Sequence, residues 1–401
     1  MPNETRDYGN LRVTLTKEFD WKYSDTGTGA KRNGTFYHAK SQGDMRPLGS
    51  FVTPNYEEQN NKRATLLVGN ARNGSGEPAV ASPTGYSKIW DDRGGKGNHD
   101  GSIWRPIAPS GYVALGDVCV KGYSAPSTAA IWCVLSGLTL QSDFDEDSVW
   151  SDNSSGANTD VSVWPIVAPK MSVDGGDKVP VLKDLFIANS AYTKPEYGRA
   201  RLLALPIPKD FKRFSADLPE FTKDKIPREG DTFNELAQCA VTLPFTAFFL
   251  PTDNACLNLI SRPFVVLQRR TAWYVEDVAR NAADQSGTHS TKITKGVSKT
   301  LSKEMENSAG VEITASFGIK AMGGGVDITL NYQFTWRESY SSTEYEEIEK
   351  THTFEIGPQT VLVLLTERVW IQATRSDGSM TLHRIGYNAT DDLNRTEIKL
   401  K

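Results

Sequence analysis

The sequence predicts an all-β protein made of an N-terminal β-prism-like, pseudo-threefold domain and an elongated C-terminal β domain that carries an amphipathic hairpin. Three observations lead to this prediction: the composition, an internal repeat, and an alternation of apolar and polar residues near the C-terminus. The 33 Gly and 20 Pro residues, with many Ser and Thr, favour strands and turns over helices. We expect the first domain to span residues 1–264 and the second to span residues 265–401.

Composition and charge exclude several classes of protein. With 401 residues the chain is long enough for two domains that each have a core. The net charge of −4 argues against a nucleic-acid partner, because nucleic-acid-binding domains are basic. The first ten residues lack the apolar stretch of a signal peptide, and no run of about 18 apolar residues predicts a membrane helix. We therefore expect a protein that is made in soluble form without a signal peptide.

An internal repeat predicts the fold of the first domain. The stretch that begins at residue 89 reads IWDDRGGKGNHDGSIWRPIAP, and the stretch that begins at residue 149 reads VWSDNSSGANTDVSVWPIVAP. At an offset of 60 the matched pairs are Trp90 with Trp150, Asp100 with Asp160, Trp104 with Trp164, and Gly116-Asp117 with Gly176-Asp177. A weaker copy runs from Trp21 through Phe36-Tyr37 to Leu48-Gly49. One unit used three times, with strands between Gly, Asp and Ser turns, predicts three sheets around an axis.

Part of this repeat resembles a known family. Residues 104–127 read WRPIAPSGYVALGDVCVKGYSAPS and resemble the vacuolar protein sorting 62 family of plant and fungal proteins. The resemblance is closest over residues 84–135 and looser over residues 20–50, 145–182 and 240–275. The biochemical role of that family is poorly defined. The resemblance therefore implies a β-prism-like fold rather than an activity.

The repeated aromatic and acidic residues are candidates for a receptor or glycan site. Indole rings stack on sugar rings, and carboxylates bind sugar hydroxyl groups, so the candidates are Trp90, Asp100, Trp104, Trp150, Asp160 and Trp164. The alternative is that tryptophans at equivalent positions fill a symmetric core, which is the commoner role of such residues. The acidic loop of residues 143–160 could hold calcium through its oxygen atoms, or be a solvated loop.

Residues 310–338 contain two alternating runs that predict a hairpin. Their apolar positions are Val311, Ile313, Ala315, Phe317, Ile319 and Ala321, then Val326, Ile328, Leu330, Tyr332, Phe334 and Trp336. A glycine run between them predicts the turn. If the chain folds about Gly323 and Gly324, opposed residue numbers sum to 647 and every apolar residue faces another. Each arm has the roughly 9–11 residues that a tilted strand needs to cross a bilayer.

The segments that flank the hairpin are rich in Ser and Thr. They span residues 286–308 and 338–356, and the same register places Lys303 opposite Glu344. With the hairpin they resemble the aerolysin-type β-pore-forming toxins over roughly residues 265–401. The resemblance implies a soluble monomer, receptor-guided oligomerisation, and extension of the hairpin into a transmembrane barrel.

These features predict a β-barrel pore-forming toxin that is insecticidal or otherwise cytolytic and acts extracellularly. Its partners would be a target-cell membrane, a glycan or protein receptor, and further copies of the chain. The apolar positions of the hairpin would face lipid, and the lumen would be lined by Glu312, Thr314, Lys320, Asp327, Asn331 and Gln333. The alternative is a carbohydrate-binding (lectin-like) or scaffold protein that forms no pore, in which the hairpin is a permanent part of a sheet.

We expect neither enzymatic activity nor a cofactor. None of the five histidines has a metal-binding spacing, and the sequence contains no G-x-S-x-G motif and no framework of paired carboxylates. Cys119, Cys133, Cys239 and Cys256 also lack the spacing of a metal site. Cys119 and Cys133 could meet across neighbouring strands, or the cysteines could be buried thiols. Residues 276–284 are expected to form a short helix or turn that joins the domains.

Overall fold

The structure is a computed structural model that describes residues 2–167, 178–181, 184–206, 216–247, 249–301, 303, 311–314, 318–323, 326–329, 347–379, 385–388 and 390–401. Regular structure in these residues is almost all β, as predicted. The α-helix α1 (Asn254–Asn258) begins after Asp253, whose side chain accepts a hydrogen bond from the Cys256 N–H. Three single-turn 3₁₀ helices are Ser136–Leu138, Tyr197–Arg199 and Phe245–Ala247. None of the helices in the described residues has the length and apolar content to cross a membrane.

The chain divides into two compact units. The first comprises residues 1–208, 244–264 and 321–328, and the second comprises residues 209–243, 265–320 and 329–401. The strands of the first half of the chain are β1 (Arg6–Tyr8), β2 (Leu11–Thr16), β3 (Phe19–Ser24), β4 (Thr35–Ala39), β5 (Ser50–Thr53), β6 (Thr65–Asn70), β7 (Val80–Ala81), β8 (Gly85–Asp91), β9 (Gly101–Ile107), β10 (Tyr112–Val113), β11 (Val118–Lys121), β12 (Cys133–Leu135), β13 (Thr139–Gln141), β14 (Asp143–Phe144), β15 (Trp150–Ser151), β16 (Ser162–Val167), β17 (Lys178–Pro180), β18 (Phe186–Asn189) and β19 (Arg201–Pro206).

Three antiparallel sheets repeat in the first unit, each with the second strand of the repeat in its middle. Their orders are β3-β4-β5, β8-β9-β11 and β15-β16-β18. The equivalent cross-strand pairs are Tyr37 with Phe51, Trp104 with Val118, and Trp164 with Ile187. The weak first copy is therefore a true repeat, and Leu48-Gly49 corresponds to Leu115-Gly116 as predicted. A Cβ atom on Gly49 would lie 2.9 Å from the Gly116 Cα atom, so this close approach requires glycine.

The offset of 60 fails after β16. The third strand of the third sheet is β18, so the equivalent of Val118 is Ile187, and Gly116-Asp117 corresponds to Leu185-Phe186. The predicted match of Gly116-Asp117 with Gly176-Asp177 is therefore wrong in spatial terms. The connection from β16 to β18 is longer than its counterpart from β9 to β11, and residues 176–177 lie outside the described residues.

The three sheets enclose an aromatic core. Tyr23, Trp90 and Trp150 are fully buried, and their ring centroids are 5.5–6.2 Å apart with edge-to-face geometry. Apolar residues of the middle strands, such as Phe36, pack against them. Cys119 also lies in this core as a buried thiol. It forms no disulfide with Cys133, so their predicted alternative pairing does not occur.

The second half of the chain contains longer strands. They are β20 (Thr232–Pro244), β21 (Phe264–Asn281), β22 (Gly287–Lys295), β23 (Val311–Thr314), β24 (Gly318–Gly323), β25 (Val326–Thr329), β26 (Ile348–Ile356), β27 (Thr360–Thr374), β28 (Ile385–Asn388) and β29 (Asn394–Lys399). The main sheet has the order β20-β21-β27-β28, with β29 also paired to β27. Because β20 belongs to this sheet, residues 209–243 fall in the second unit, although the sequence assigned them to the first domain.

The strand β21 corrects another expectation. It continues to Asn281, where the sequence predicted a helix or turn to begin at Glu276. A β-bulge between Val275 and Asp277 leaves Glu276 unpaired in the ladder. The Glu276 carboxylate accepts hydrogen bonds from the Thr366 hydroxyl at 2.7 Å and the Asn388 side-chain amide at 2.8 Å. These hydrogen bonds satisfy the Glu276 carboxylate, a charged group within a strand that the sequence pattern did not predict to continue through this position.

The flanks of the predicted hairpin form a separate two-stranded ribbon. Strands β22 and β26 pair antiparallel from Gly287 opposite Ile356 to Lys295 opposite Ile348, so opposed residue numbers sum to 643. Between them, β23, β24 and β25 form a sheet in that order. Strands β24 and β25, on either side of the predicted turn, are neighbours in this sheet, and residues 324–325 between them lie outside the described residues. The first arm is not one continuous strand here, because β23 and β24 are separate neighbouring strands of the same sheet.

Candidate functional site

Each of the three repeated sheets ends in an equivalent cluster of an aspartate, a second polar residue and a tyrosine. We call these the loop clusters, and they are Asp25–Asn33–Tyr56, Asp92–Asp100–Tyr123 and Asp152–Asp160–Tyr192. In each, the tyrosine hydroxyl donates a hydrogen bond to the second polar residue, at 3.1, 3.0 and 2.9 Å. Burial, followed by a hydrogen bond to a carboxylate, raises the pKa of all three tyrosines. These hydroxyls therefore remain protonated donors.

Backbone contacts hold the first aspartate of every cluster. Its Oδ1 accepts the N–H of Gly34, Gly101 or Val161 at 3.0, 3.2 and 2.9 Å, which closes the loop between the first two strands of each sheet. Burial is also the main cause that raises the pKa of Asp92 and Asp152. The same geometry in all three copies shows that these aspartates are structural elements of the repeat.

The aromatic core connects the clusters to one another. The Trp90 indole N–H donates to Asp152 Oδ2 at 2.9 Å, and the Trp150 indole N–H donates to Asp25 Oδ2 at 2.8 Å. Tyr23 occupies the third equivalent position, and within the described part of the chain its hydroxyl has no hydrogen-bond partner. Two of the three equivalent hydrogen bonds around the pseudo-threefold axis are therefore present.

The loops are also joined in a circle through their backbones. In each loop one backbone carbonyl accepts a hydrogen bond from a backbone N–H of another repeat. The Asn98 N–H donates to the Thr26 carbonyl at 2.9 Å, the Asn158 N–H to Arg93 at 2.8 Å, and the Lys31 N–H to Asn153 at 3.2 Å. Backbone bonds of this kind fix the loop positions independently of side-chain rotamers. The three loop clusters therefore form a single preorganised end of the prism.

The structure separates the predicted glycan-site residues into two groups. Trp90 and Trp150 are 1% and 0% exposed, so they belong to the core and cannot stack on a sugar ring. Trp164 is 8% exposed and Trp104 is half-buried, and each donates its indole N–H to a serine hydroxyl of its own strand at 2.8 Å. The core alternative is thus correct for Trp90 and Trp150 and the sugar-stacking role is wrong for them, because an apolar threefold axis buries the aromatic residue nearest to it.

Asp100 and Asp160 remain at the surface in the loop clusters. Sequence reasoning missed the tyrosines of the three loop clusters, of which Tyr56 and Tyr192 are 47% and 43% exposed. These tyrosines follow the last strand of each sheet, at offsets of 67 and 69 that the constant offset of 60 concealed. The acidic loop of residues 143–160 contains β14 and β15, and Asp152 points into the core. Among the described residues no group of His, Cys, Asp and Glu could hold a metal ion.

The ribbon of β22 and β26 is the second candidate site. Its inner face carries buried Ile293 and Ile356. Its outer face, which is exposed, consists of Thr288, Ser290, Lys292, Thr294, Glu349, Thr351, Thr353 and Glu355. Ser290 and Thr353 are opposed and their hydroxyl groups are 2.9 Å apart. The Lys292–Glu349 pair at 2.7 Å is solvent-exposed, so it contributes little to stability.

A few polar contacts hold the inner face of the ribbon on the second unit. His289 Nε2 lies 2.6 Å from Asp277 Oδ2, and the Lys350 ammonium group lies 3.0 Å from Asp391. At the inner end, the Gly296 N–H donates to the Asn388 carbonyl at 2.8 Å. Gly296 has φ of +85°, a left-handed conformation that ends the strand at this residue.

The predicted membrane hairpin lies partly in described strands. Val311, Glu312, Ile313 and Thr314 form β23, Ile319, Lys320 and Ala321 lie in β24, and Val326, Asp327 and Ile328 lie in β25. Ala315, Phe317, Leu330, Asn331, Tyr332, Gln333, Phe334, Trp336 and Glu344 lie outside the described residues. The assignment of lipid-facing and lumen-facing positions, and the pairing of Lys303 with Glu344, stay predictions.

A family model matches the N-terminal half of the chain. Residues 3–199 match the family model described as vacuolar protein sorting-associated protein 62. The crystal structure of GNIP1Aa from Chromobacterium piscinae is similar at 24% identity and a TM-score of 0.38, over 47% of this chain and 35% of that chain. The present chain thus spans about a third of that protein's length, 35%.

A second solved structure is similar over nearly the whole chain. The crystal structure of Cry35Ab1 is 10% identical with a TM-score of 0.34, over 98% of this chain and 90% of that chain. Both structural overlaps are too low to transfer a property from either protein to this chain. No protein of curated function matches the chain.

Proposed function

Residues 3–199 belong to the vacuolar protein sorting-associated protein 62 family, and from this premise we propose that they form the receptor-binding part of a β-barrel pore-forming protein. Several copies of the chain would assemble on a target membrane. Each copy would contribute residues 311–336 as a transmembrane hairpin, because a single hairpin cannot satisfy its backbone groups in lipid and a closed barrel can. The membrane damage would make the protein cytolytic, and insects are candidate targets.

The observation that carries the proposal is the outer face of the ribbon. Every side chain on that face is polar, and the ribbon leads directly into an amphipathic stretch. In the sequence, all even positions from 288 to 320 are polar or glycine, and so are all odd positions from 327 to 355 except Tyr345. A permanent surface hairpin needs such alternation only over the length that covers a core. Alternation over both the ribbon and the hairpin suits the wall of a long barrel.

The two registers are compatible with one continuous wall. The numbers of opposed residues sum to 643 in the ribbon and to 647 in the predicted hairpin, so the two registers differ by four residues. Because four is an even number, a slide between these registers keeps every side chain on its own face. Ile293 would then share a face with Val311, and Thr294 would share the opposite face with Glu312. Such a slide moves one strand by about 13 Å relative to the other.

The loop clusters are the proposed receptor site. Each presents carboxylate or amide oxygens and a tyrosine hydroxyl, which are suited to the hydroxyl groups of a glycan. The exposed tyrosine rings offer faces for sugar stacking. Three clusters on one preorganised end would bind a branched or clustered glycan through several weak contacts at once.

Release of a trapped dye from liposomes tests the pore function. Liposomes would be made with and without target-cell membrane extract, and each sample would also be run on a gel without boiling. Release together with a heat-sensitive oligomer is the expected result. Absence of release from every membrane, also after limited proteolysis, would contradict the proposal and favour a glycan-binding protein with a permanent hairpin.

Two neighbouring substitutions in β25 provide a matched test of the hairpin. Ile328→Asp places a charge at a predicted lipid-facing position, where it costs roughly 2–4 kcal/mol and should stop release. Thr329→Asp adds the same charge at the adjacent predicted lumen-facing position and should preserve release. Equal release from both variants would show that these two positions do not face lipid and lumen.

A further inference from the structure

We infer that the pore conducts cations in preference to anions, an inference that rests on the proposed pore function. The selective element is the acidic excess on the outer face of the ribbon and its continuation through the hairpin. In the pore this face would line the lumen. The passing species would therefore be small inorganic cations such as K⁺.

The described ribbon supplies the first part of the evidence. The outer face carries one base, Lys292, and two acids, Glu349 and Glu355. Lys292 is paired with Glu349 at 2.7 Å, which leaves Glu355 as the net charge of the face. Glu355 stands opposite Thr288, which cannot neutralise it. Repeated in every subunit around a barrel, Glu355 would form a ring of negative charge.

The inner face of the ribbon has the opposite character. Its charged residues are Lys295 and Lys350, and the latter is 3.0 Å from Asp391 of the second unit. These residues lie on the same face as buried Ile293 and Ile356. When the ribbon becomes barrel wall, this face would be turned outward. The two faces of the ribbon therefore differ in the sign of their net charge, which is negative on the outer face and positive on the inner face.

The same difference in net charge continues along the whole alternating stretch. The proposed lumen-facing positions are the even positions from 288 to 320 and the odd positions from 327 to 355. They hold seven acids and three bases. The acids are Glu304, Glu306, Glu312, Asp327, Glu347, Glu349 and Glu355, and the bases are Lys292, Lys320 and Arg337. The opposite parity holds the four bases Lys295, Lys299, Lys303 and Lys350 against the three acids Glu338, Glu344 and Glu346. A net charge of one sign on a pore wall attracts counter-ions and excludes ions of its own sign.

Reversal potentials in planar bilayers under a KCl gradient test the inference. The unmodified protein should show a roughly threefold or larger preference for K⁺ over Cl⁻. The preference should weaken at high salt, because the screening length falls from about 10 Å at 0.1 M to about 3 Å at 1 M.

Two triple variants with the same change in total charge locate the selective face. Glu347→Gln with Glu349→Gln and Glu355→Gln removes three acids from the lumen parity and should bring the permeability ratio close to one or below it. Glu338→Gln with Glu344→Gln and Glu346→Gln removes three acids from the opposite parity and should leave the ratio unchanged.

The outcomes distinguish this inference from the function on which it rests. Absence of conductance from the unmodified protein in receptor-containing bilayers would overturn the pore function itself. Conductance that prefers Cl⁻ would overturn the cation assignment while the pore function stands. Equal effects of the two triple variants would show that the outer face of the ribbon does not line the lumen.

Discussion

The prism sheets of the first unit and the ribbon of the second unit are both antiparallel β-structures with alternating side chains, but they differ in what covers the apolar face. Each prism sheet turns its inner residues onto one shared core around Tyr23, Trp90 and Trp150. In the ribbon the buried side chains are Ile293 and Ile356. Burial of two such side chains is worth about 3–6 kcal/mol, whereas the prism core contains many.

Under the proposed function, this difference separates a permanent sheet from one that leaves its position. Removal of a prism sheet would expose the whole aromatic core to water. Removal of the ribbon would expose Ile293, Ile356 and the partly buried Phe354 with the side chains that they cover, and would break a few polar contacts, such as His289 with Asp277. Period-two alternation therefore does not distinguish a fixed sheet from a transferable one, and the amount of apolar cover does.

The largest expected effect follows from Trp150→Ala. The change removes a fully buried indole and leaves Asp25 Oδ2 without its donor, so the free energy of unfolding of the first unit should fall by about 3–5 kcal/mol. Urea denaturation followed by circular dichroism measures the loss. The control is Trp104→Ala, which truncates a half-buried ring and should cost clearly less. Equal costs would refute the assignment of Trp150 to the threefold core.

A smaller effect is expected from pH. Burial lowers the pKa of His38 to about 4, and its ring lies 2.9 Å from the Ser50 hydroxyl and 3.2 Å from the Ala130 carbonyl. The unfolded histidine has a pKa near 6.5, so below that pH the unfolded state binds the extra proton and folding weakens until about pH 4. From pH 7.5 to 5 this single group should lower the stability of the first unit by about 2 kcal/mol.

Urea midpoints of the protein and of His38→Gln at both pH values isolate this group, because all other titrating groups are common to the two. The variant should lose less stability between pH 7.5 and 5 than the unmodified protein. An identical loss in both would show that His38 is protonated in the folded state as readily as in the unfolded state.

The smallest expected effect concerns the ribbon register, and cysteine pairs test it. Oxidised Ser290→Cys with Thr353→Cys should lock the observed register, in which these residues are opposed, and lower dye release roughly tenfold or more. Thr294→Cys with Thr353→Cys matches the register that continues the predicted hairpin and should cross-link in the membrane-bound oligomer. The thiols of Cys119 and Cys133 are buried and should not interfere.

Reduction of the first pair should restore release, and this serves as its internal control. If the oxidised first pair released dye as fast as the reduced form, the ribbon would keep its register in the pore. In that case the four-residue slide would be wrong, although the pore itself could still form.

Much of the fold was predictable because it depends on local periodicity. The all-β class and the three related sheets follow from repeats and alternation in the sequence. The register of the ribbon was not predictable in the same way. The predicted hairpin register, extended outward, pairs residues whose numbers sum to 647, whereas opposed residue numbers in the structure sum to 643. Both registers place the same faces together, so the polar pattern does not discriminate between them.

The candidate sites were only partly predictable. Asp100 and Asp160 were identified from the repeat, but Tyr56 and Tyr192 were not, because the connections within the repeats differ in length. Trp90 and Trp150 were candidates either for sugar stacking or for a symmetric core, and their position on the axis buries them. Sequence alone shows that an aromatic residue recurs, and its distance from the axis depends on how the three sheets pack.

The sequence by itself determined which side chains share a face, because successive residues of a strand point to opposite sides whatever the strand packs against. It thereby determined the acidic excess on one parity of residues 288–355 and the recurrence of Asp25, Asp92 and Asp152. Only the tertiary structure decided what covers each face and which loop closes on which. Those contacts join residues far apart in the chain, such as Trp150 with Asp25, and depend on how all the sheets pack at once.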